Sequence, residues 1–446
     1  MEVASLQTIL LFMSFISFYV YIFLLRRKPN KIATHGFKSY PLVGTLPDFL
    51  LNRHRFLDWT TAILSRCPTN TAVFRRPGKI HGVITANPQI VEHMLKSNFD
   101  NFPKGVRFRT LLEDFLGEGI FNSDGDLWKI QRKTASYEFN TKSLRNFVME
   151  NVAFELKTRL IPILENSARN DTVLDFQDIL ERFAFDNICK VAFNVDPGCL
   201  GGDGTVGGEF MRAFEDAANL SSGRFMYALP SSFIIKKFLN LGSEKKLRKS
   251  IAKVHEFADK IIRTRMEERT GRDTTSSALS WFFWLLSSKP EVELKILQEL
   301  ENIRLQNGKT IGDTYSFDEL REMHYLQASI TEAMRLYPPV PIDTKACNKD
   351  DILPDGTFIG KNWFISYLTF AMGRMESVWG KIVVSISLRG GLKMGFGNKK
   401  ARLTASVLER FGMDVVMEKG KCPEYLLSLT LRMKGGLPVK VKERIV

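Results

Sequence analysis

The chain runs to 446 residues, 44% of them apolar, with 63 Lys and Arg against 49 Asp and Glu and a formal charge of +14. That is ample length for a large core, and the composition excludes a disordered or collagen-like polymer. Five cysteines without C-x-x-C pairing and six scattered histidines exclude a disulfide framework and structural zinc, and favour reduced thiols on a cytosolic face.

Leu6 to Leu25 is free of charge and long enough as a helix to cross a hydrocarbon core. Arg26, Arg27, Lys28 and Lys31 follow it and only Glu2 precedes it, so residues 1–28 read as a single-pass anchor that leaves 29–446 in the cytosol. Pro41, Gly44 and Pro47 then make a stiff connection. Thr71 to Phe74 and Ile80 to Thr85 read as strands joined by a Pro77-Gly78 turn. Helical spacing of apolar residues covers Asn151 to Glu165, Phe176 to Val191, Gly208 to Asn219, Ser243 to Glu268 and Arg272 to Ser287. In the last of these Ala278, Trp281, Phe282, Leu285 and Leu286 form one stripe, and Pro290 opens a further helix to about Gln306. A capping box at Ser316 to Glu319 starts a helix that stops against Pro338 and Pro339. Beyond it come a Pro354-Asp355-Gly356 turn, a strand near Trp363 to Tyr367, a helix over Ala401 to Phe411, and closing strands Tyr425 to Met433 and Val439 to Lys442. The expected fold is mainly α with small β-sheets. From Lys381 to Val446 there are fourteen Lys and Arg against five Asp and Glu, interleaved with element patterns; this fits an acidic partner or an anionic membrane and gives no nucleic-acid signature. Gly202 to Gly207 matches G-x-G-x-x-G, but no strand leads into it, so it is a loop.

Four motifs carry chemistry. Trp128 and Arg132 share a helical face in Trp-Lys-Ile-Gln-Arg; a surface pair is the plain alternative. Lys104, Arg107 and Arg109, in the loop before it, could meet a carboxylate or simply be solvated. Asp273 and Thr274, in Gly-Arg-Asp-Thr-Thr, put an acid beside an alcohol, which suits proton relay as well as helix capping. Glu332 and Arg335, three apart in Thr-Glu-Ala-Met-Arg-Leu-Tyr-Pro-Pro, can form a fixed ion pair.

In this order the motifs resemble the cytochrome P-450 superfamily of haem-thiolate monooxygenases. The stretches Phe185 to Leu200, Pro338 to Asp343 and Ala371 to Trp379 are similar to the plant group that hydroxylates fatty acids near the ω end, including relatives acting on jasmonoyl–amino acid conjugates. The resemblance implies a cytochrome P-450-like helical body behind one N-terminal transmembrane helix in the endoplasmic reticulum. It also implies heme b, dioxygen, electrons from NADPH through NADPH-cytochrome P-450 reductase, contact with membrane lipid and a fatty-acid-like substrate. Asp273 and Thr274 would serve oxygen activation and proton delivery, Trp128 and Arg132 a haem propionate. Glu332 and Arg335 would form a structural triad with an arginine from a Pro-Glu-Arg loop. The chain departs from the pattern twice. The apolar half-helix before Gly271 is missing, and after Gly380 neither Pro-Glu-Arg nor Phe-x-x-Gly-x-Arg-x-Cys-x-Gly occurs, so no axial cysteine is found. These are apparent deletions near 269–271 and 381–400. They leave a second reading open: a non-catalytic truncated product, from a pseudogene or a faulty gene model, that does not hold haem in the family's manner.

Overall fold

The computed structural model describes residues 13–15, 17, 36–40, 43–77, 80–139, 142–193, 195–201, 206–227, 232–264, 275–380, 398–418 and 422–444. Of the expected membrane helix only residues 13–15 and 17 are described, as helix; Asp273, Thr274 and the junctions at 269–271 and 381–397 lie outside. Among the described residues no helix is long and apolar enough to cross a membrane. The chain divides into two compact units, 1–103 with 344–371, and 104–343 with 372–446.

The first unit is built on a four-stranded sheet. Thr71–Arg76 pairs antiparallel with Ile80–Thr85, which runs parallel to Phe364–Tyr367, and Asp343–Ala346 closes the order. Alternation makes the hairpin: Ala72 and Phe74 turn inward while Arg75 faces water. Gly82 is required opposite them, because a Cβ there would sit 2.8 Å from the Phe74 ring and 2.9 Å from the Phe364 ring. Val83, Ile90, Met94, Phe102, Cys347 and Ile365 are among the residues of its apolar core.

The second unit is mostly helical. Its long members include Phe176–Phe193, Val206–Gly223 and Gly242–Thr264, with the last two packed together. Five further helices frame the site: α1 (Thr275–Ser287), α2 (Pro290–Gln306), α3 (Phe317–Glu322), α4 (His324–Leu336) and α5 (Asn398–Leu408). The expected stripe of α1 is buried at Ala278, Trp281, Phe282 and Leu286, and α2 begins at Pro290 as read. Val173–Asp175, Pro438–Glu443 and Phe411–Val415 form a three-stranded sheet with the Pro438 strand in the middle.

Three expectations need correction. The helix read from Ser316 to Leu336 is two helices: the capping box at Ser316 is present, but Met323 leaves helical geometry (φ −72°, ψ 63°). The second helix, α4, is capped from outside, since the Glu299 carboxylate accepts the Tyr325 and Leu326 amides at 2.6 and 2.9 Å. The helix read to Phe411 stops at Leu408, because Phe411 begins a strand that pairs with Glu443. Tyr425 to Met433 is a hairpin of two short strands, Leu427 facing Leu431.

Candidate functional site

Helix α4 packs against α1, α2 and α5 and carries Glu332 and Arg335 into the interior. Arg335 Nε donates to Glu332 Oε2 at 2.9 Å and Nη2 to Oε1 at 2.7 Å, with side chains 7% and 5% exposed. The i, i+3 spacing places the two forks face to face, as the sequence indicates. Nη1 donates to the Gly373 carbonyl, and the guanidinium lies 4.8 Å from the centroid of the Trp379 ring. Gly373 has no room for a side chain, since a Cβ would run into the carbonyl of Arg335. Arg374 donates to the carbonyl of Leu336, placing a cation at the C-terminus of α4, and lies 4.7 Å over the Tyr337 ring.

Tyr337 ends α4 in an aromatic stack. Its ring lies parallel to Trp281 of α1, 4.2 Å away at 4°, with Trp284 edge-on at 5.5 Å. The indole of Trp281 donates to the Leu431 carbonyl at 3.0 Å, and Ser277 donates to the same oxygen at 2.7 Å. Burial, with Cys422 3.3 Å from its hydroxyl, pushes the Tyr337 phenol well above its ordinary range. Held in this way the phenol stays protonated at neutral pH. The cluster fixes helices to one another.

The other expected residues are less concentrated. Trp128 and Arg132 lie on the helix Gly125–Phe139, Trp128 half-buried and Arg132 exposed. The Lys104 ammonium lies 5.5 Å from the Trp128 ring and donates to the Ser123 carbonyl at 2.7 Å. That amine, read as a possible carboxylate partner, is engaged in closing its own loop. Burial draws the Arg107 guanidinium below its ordinary range. Gly202–Thr205 of the glycine-rich loop lies outside the described residues, so nothing is added to its reading.

A haem thiolate needs a cysteine that ionises, with its sulfur accepting hydrogen bonds. All five cysteines are described: four are buried, and the fifth, Cys422, lies outside any Phe-x-x-Gly-x-Arg-x-Cys-x-Gly peptide. Cys347 donates its thiol to the Lys349 carbonyl at 2.8 Å, and burial pushes it up to about 11. Cys67 donates to the Ile63 carbonyl at 3.4 Å, and burial raises it too. Cys199 is raised strongly by burial and by Asp186, and Cys189 is buried. Cys422 is exposed, with its sulfur beside the Tyr337 hydroxyl. The residues present do not fit a haem held by thiolate.

A second buried ion network carries no local motif and is not read from the sequence. Arg304 of α2 donates Nε and Nη2 to the two oxygens of Glu409 at 3.0 Å each, and Nη2 also to the Asp313 carbonyl at 2.8 Å. The guanidinium covers the Tyr315 ring at 3.7 Å, and the Tyr315 hydroxyl donates to Glu409. Arg402 of α5 donates to the Tyr315 carbonyl.

The family model for cytochrome P-450 matches residues 35–272 and 270–381 of the chain. Cytochrome P-450 CYP94D108 of Paris polyphylla is 43% identical to it over 478 aligned positions, which cover 94% of each protein. Cytochrome P-450 94A2 of Vicia sativa is 38% identical, covering 91% of each. Cytochrome P-450 CYP94D109 of Paris polyphylla is 36% identical over 504 aligned positions, covering 98% of this chain and 97% of the relative. That last span exceeds the 446 residues available, so the alignment opens gaps in this chain.

Proposed function

The chain belongs to the cytochrome P-450 family, and on that premise we propose that its lineage function is the haem-dependent hydroxylation of fatty acids or fatty-acid-derived conjugates near the ω end. Dioxygen supplies the inserted oxygen atom, and NADPH supplies electrons through a membrane-bound reductase. The proposed setting is the endoplasmic reticulum, with residues 1–28 as a single-pass anchor and the body facing the cytosol. The observation that carries this reading is near-full-length similarity to plant relatives, together with the Glu332–Arg335 pair buried and bidentate at the expected place. In the natural full-length product Asp273 and Thr274 would deliver protons, and Trp128 and Arg132 would meet a haem propionate. Expression of a full-length transcript, with turnover of ω-labelled fatty acids and of jasmonoyl–amino acid conjugates, tests it. Absence of ω-region products from a haem-loaded, reductase-supplied enzyme would sink it.

A second reading concerns the chain as written, and one observation favours it: the family's cysteine peptide is absent, and four of the five cysteines are buried. In this reading the chain is a non-catalytic product that does not hold haem in the family's manner. The family match divides at 270–272 and ends at 381, the two places where the sequence departs from the pattern, which supports deletions there. Sequencing cDNA across both junctions decides between a biological product and a faulty gene model. A transcript that restores a haem-cysteine peptide would remove this reading for the natural protein.

A further inference from the structure

We propose that this chain folds without haem, and that its C-terminal segment, residues 398–444, is docked by side-chain clamps that make no use of a prosthetic group. The inference rests on the second reading above, and its failure would be distinguishable from the failure of that reading.

The docking begins with α5. Leu403, Ala405, Val407 and Leu408 are buried within 1% of full burial, so the helix has an apolar face seated in the unit. Glu409 then reaches Arg304 and Tyr315 across 105 and 94 residues of sequence, and Arg402 reaches the Tyr315 carbonyl. The hairpin is held separately. Arg432 donates to both oxygens of Glu181 at 2.8 and 2.6 Å, and Gln177 exchanges two hydrogen bonds with the Met433 backbone at 3.1 and 3.0 Å. The last strand is held a third way, by backbone pairing of Pro438, Val439 and Lys440 with Asp175, Leu174 and Val173. Each clamp joins the segment to residues upstream of the 381–397 junction. Every partner in these clamps is a residue of the chain itself, and the buried nitrogens left over, Arg304 Nη1 and Arg402 Nε, have no hydrogen bond among the described residues.

The consequence is a division of labour. The family's axial cysteine peptide and Pro-Glu-Arg loop are not found here, whereas the contacts that fasten residues 398–418 and 422–444 are formed. Loss of one partner of a buried pair should release α5 as a local opening, because the remaining charge is left buried without compensation.

The test uses the full chain, expressed with and without added haem precursor and then titrated with haemin. Limited proteolysis is read by mass spectrometry within residues 398–444, alongside a reduced carbon-monoxide difference spectrum. The expected result is no thiolate-type band and equal protection of 398–444 in all samples. Arg304→Met should shorten the proteolytic half-life of that segment about a hundredfold while Val206–Gly223 and Gly242–Thr264 stay protected. Tyr315→Phe, which removes only a hydroxyl, should shorten it about tenfold. Protection of 398–444 that appears only with haem, a chain soluble only with haem, or unchanged half-lives in both variants would overturn the proposal. A thiolate-type band in a chain whose segment was already protected without haem would end the second reading and leave this inference standing.

Discussion

Two buried arginines in this protein hold glutamates with the same bidentate geometry, and they differ in what they join. Arg335 grips Glu332 three residues away on one helix, and its third nitrogen settles on a backbone carbonyl, that of Gly373. Arg304 grips Glu409 across 105 residues, with the Tyr315 hydroxyl on the same carboxylate. The local pair orders a motif whose expected third arginine is missing from the sequence. The long-range pair closes the chain around the span where the motif breaks off. A fold can therefore lack the third partner of a local pair and keep the pair that joins distant segments.

The contrast can be broken most directly at the two glutamates. Glu409→Gln should lower unfolding free energy by about 3 kcal/mol, since it leaves Arg304 buried with a weakened partner. Glu332→Gln should cost less, about 1–2 kcal/mol, because Arg335 keeps the Gly373 carbonyl and the Trp379 face. Urea melts of both variants measure this, and equal losses would remove the distinction. Between them falls Trp281→Phe, expected to cost about 2 kcal/mol. It gives up the parallel stack on Tyr337 and the hydrogen bond to Leu431, and Ser277 alone then serves that carbonyl.

A pH series sharpens the comparison at a third pair. Burial outweighs the Arg432 guanidinium and raises the Glu181 carboxyl from 4.5 to about 7. The folded state then holds a proton that the unfolded chain releases. The contribution of this group to stability is full below pH 4.5, falls as pH rises to about 7, and is flat above. Glu181→Gln should abolish that fall in thermal melts taken across the window, whereas an unchanged slope would assign it to another group. The smallest effect is expected at Arg132→Ala. Its side chain is exposed, so the haem-free chain should change by no more than about 0.5 kcal/mol.

Much of the fold was legible locally. The apolar stripe of α1, the proline at the start of α2, the capping box at Ser316 and the pairing of Thr71–Arg76 with Ile80–Thr85 each follow from spacing within a few residues. The break at Met323 was not, because the apolar period continues through it and the cap that starts α4 comes from Glu299, on another helix. The same limit applies at the site. Glu332 and Arg335 declare themselves by their spacing, whereas Arg304 stands in an unremarkable charged helix and Glu409 just past the end of α5. Their meeting depends on tertiary packing that no window of sequence contains.

Gly373 gives the structure a bearing on inheritance. The carbonyl of Arg335 occupies the place a Cβ would need, so any replacement must move the backbone at the end of α4. Asp273 and Thr274 are proposed to serve dioxygen chemistry, whereas the demand on Gly373 is one of folding. Among sister alleles of this gene, drift at the first two positions with glycine retained at the third would mark a polypeptide that selection keeps for its shape. Drift at all three would mark a sequence on which selection no longer acts.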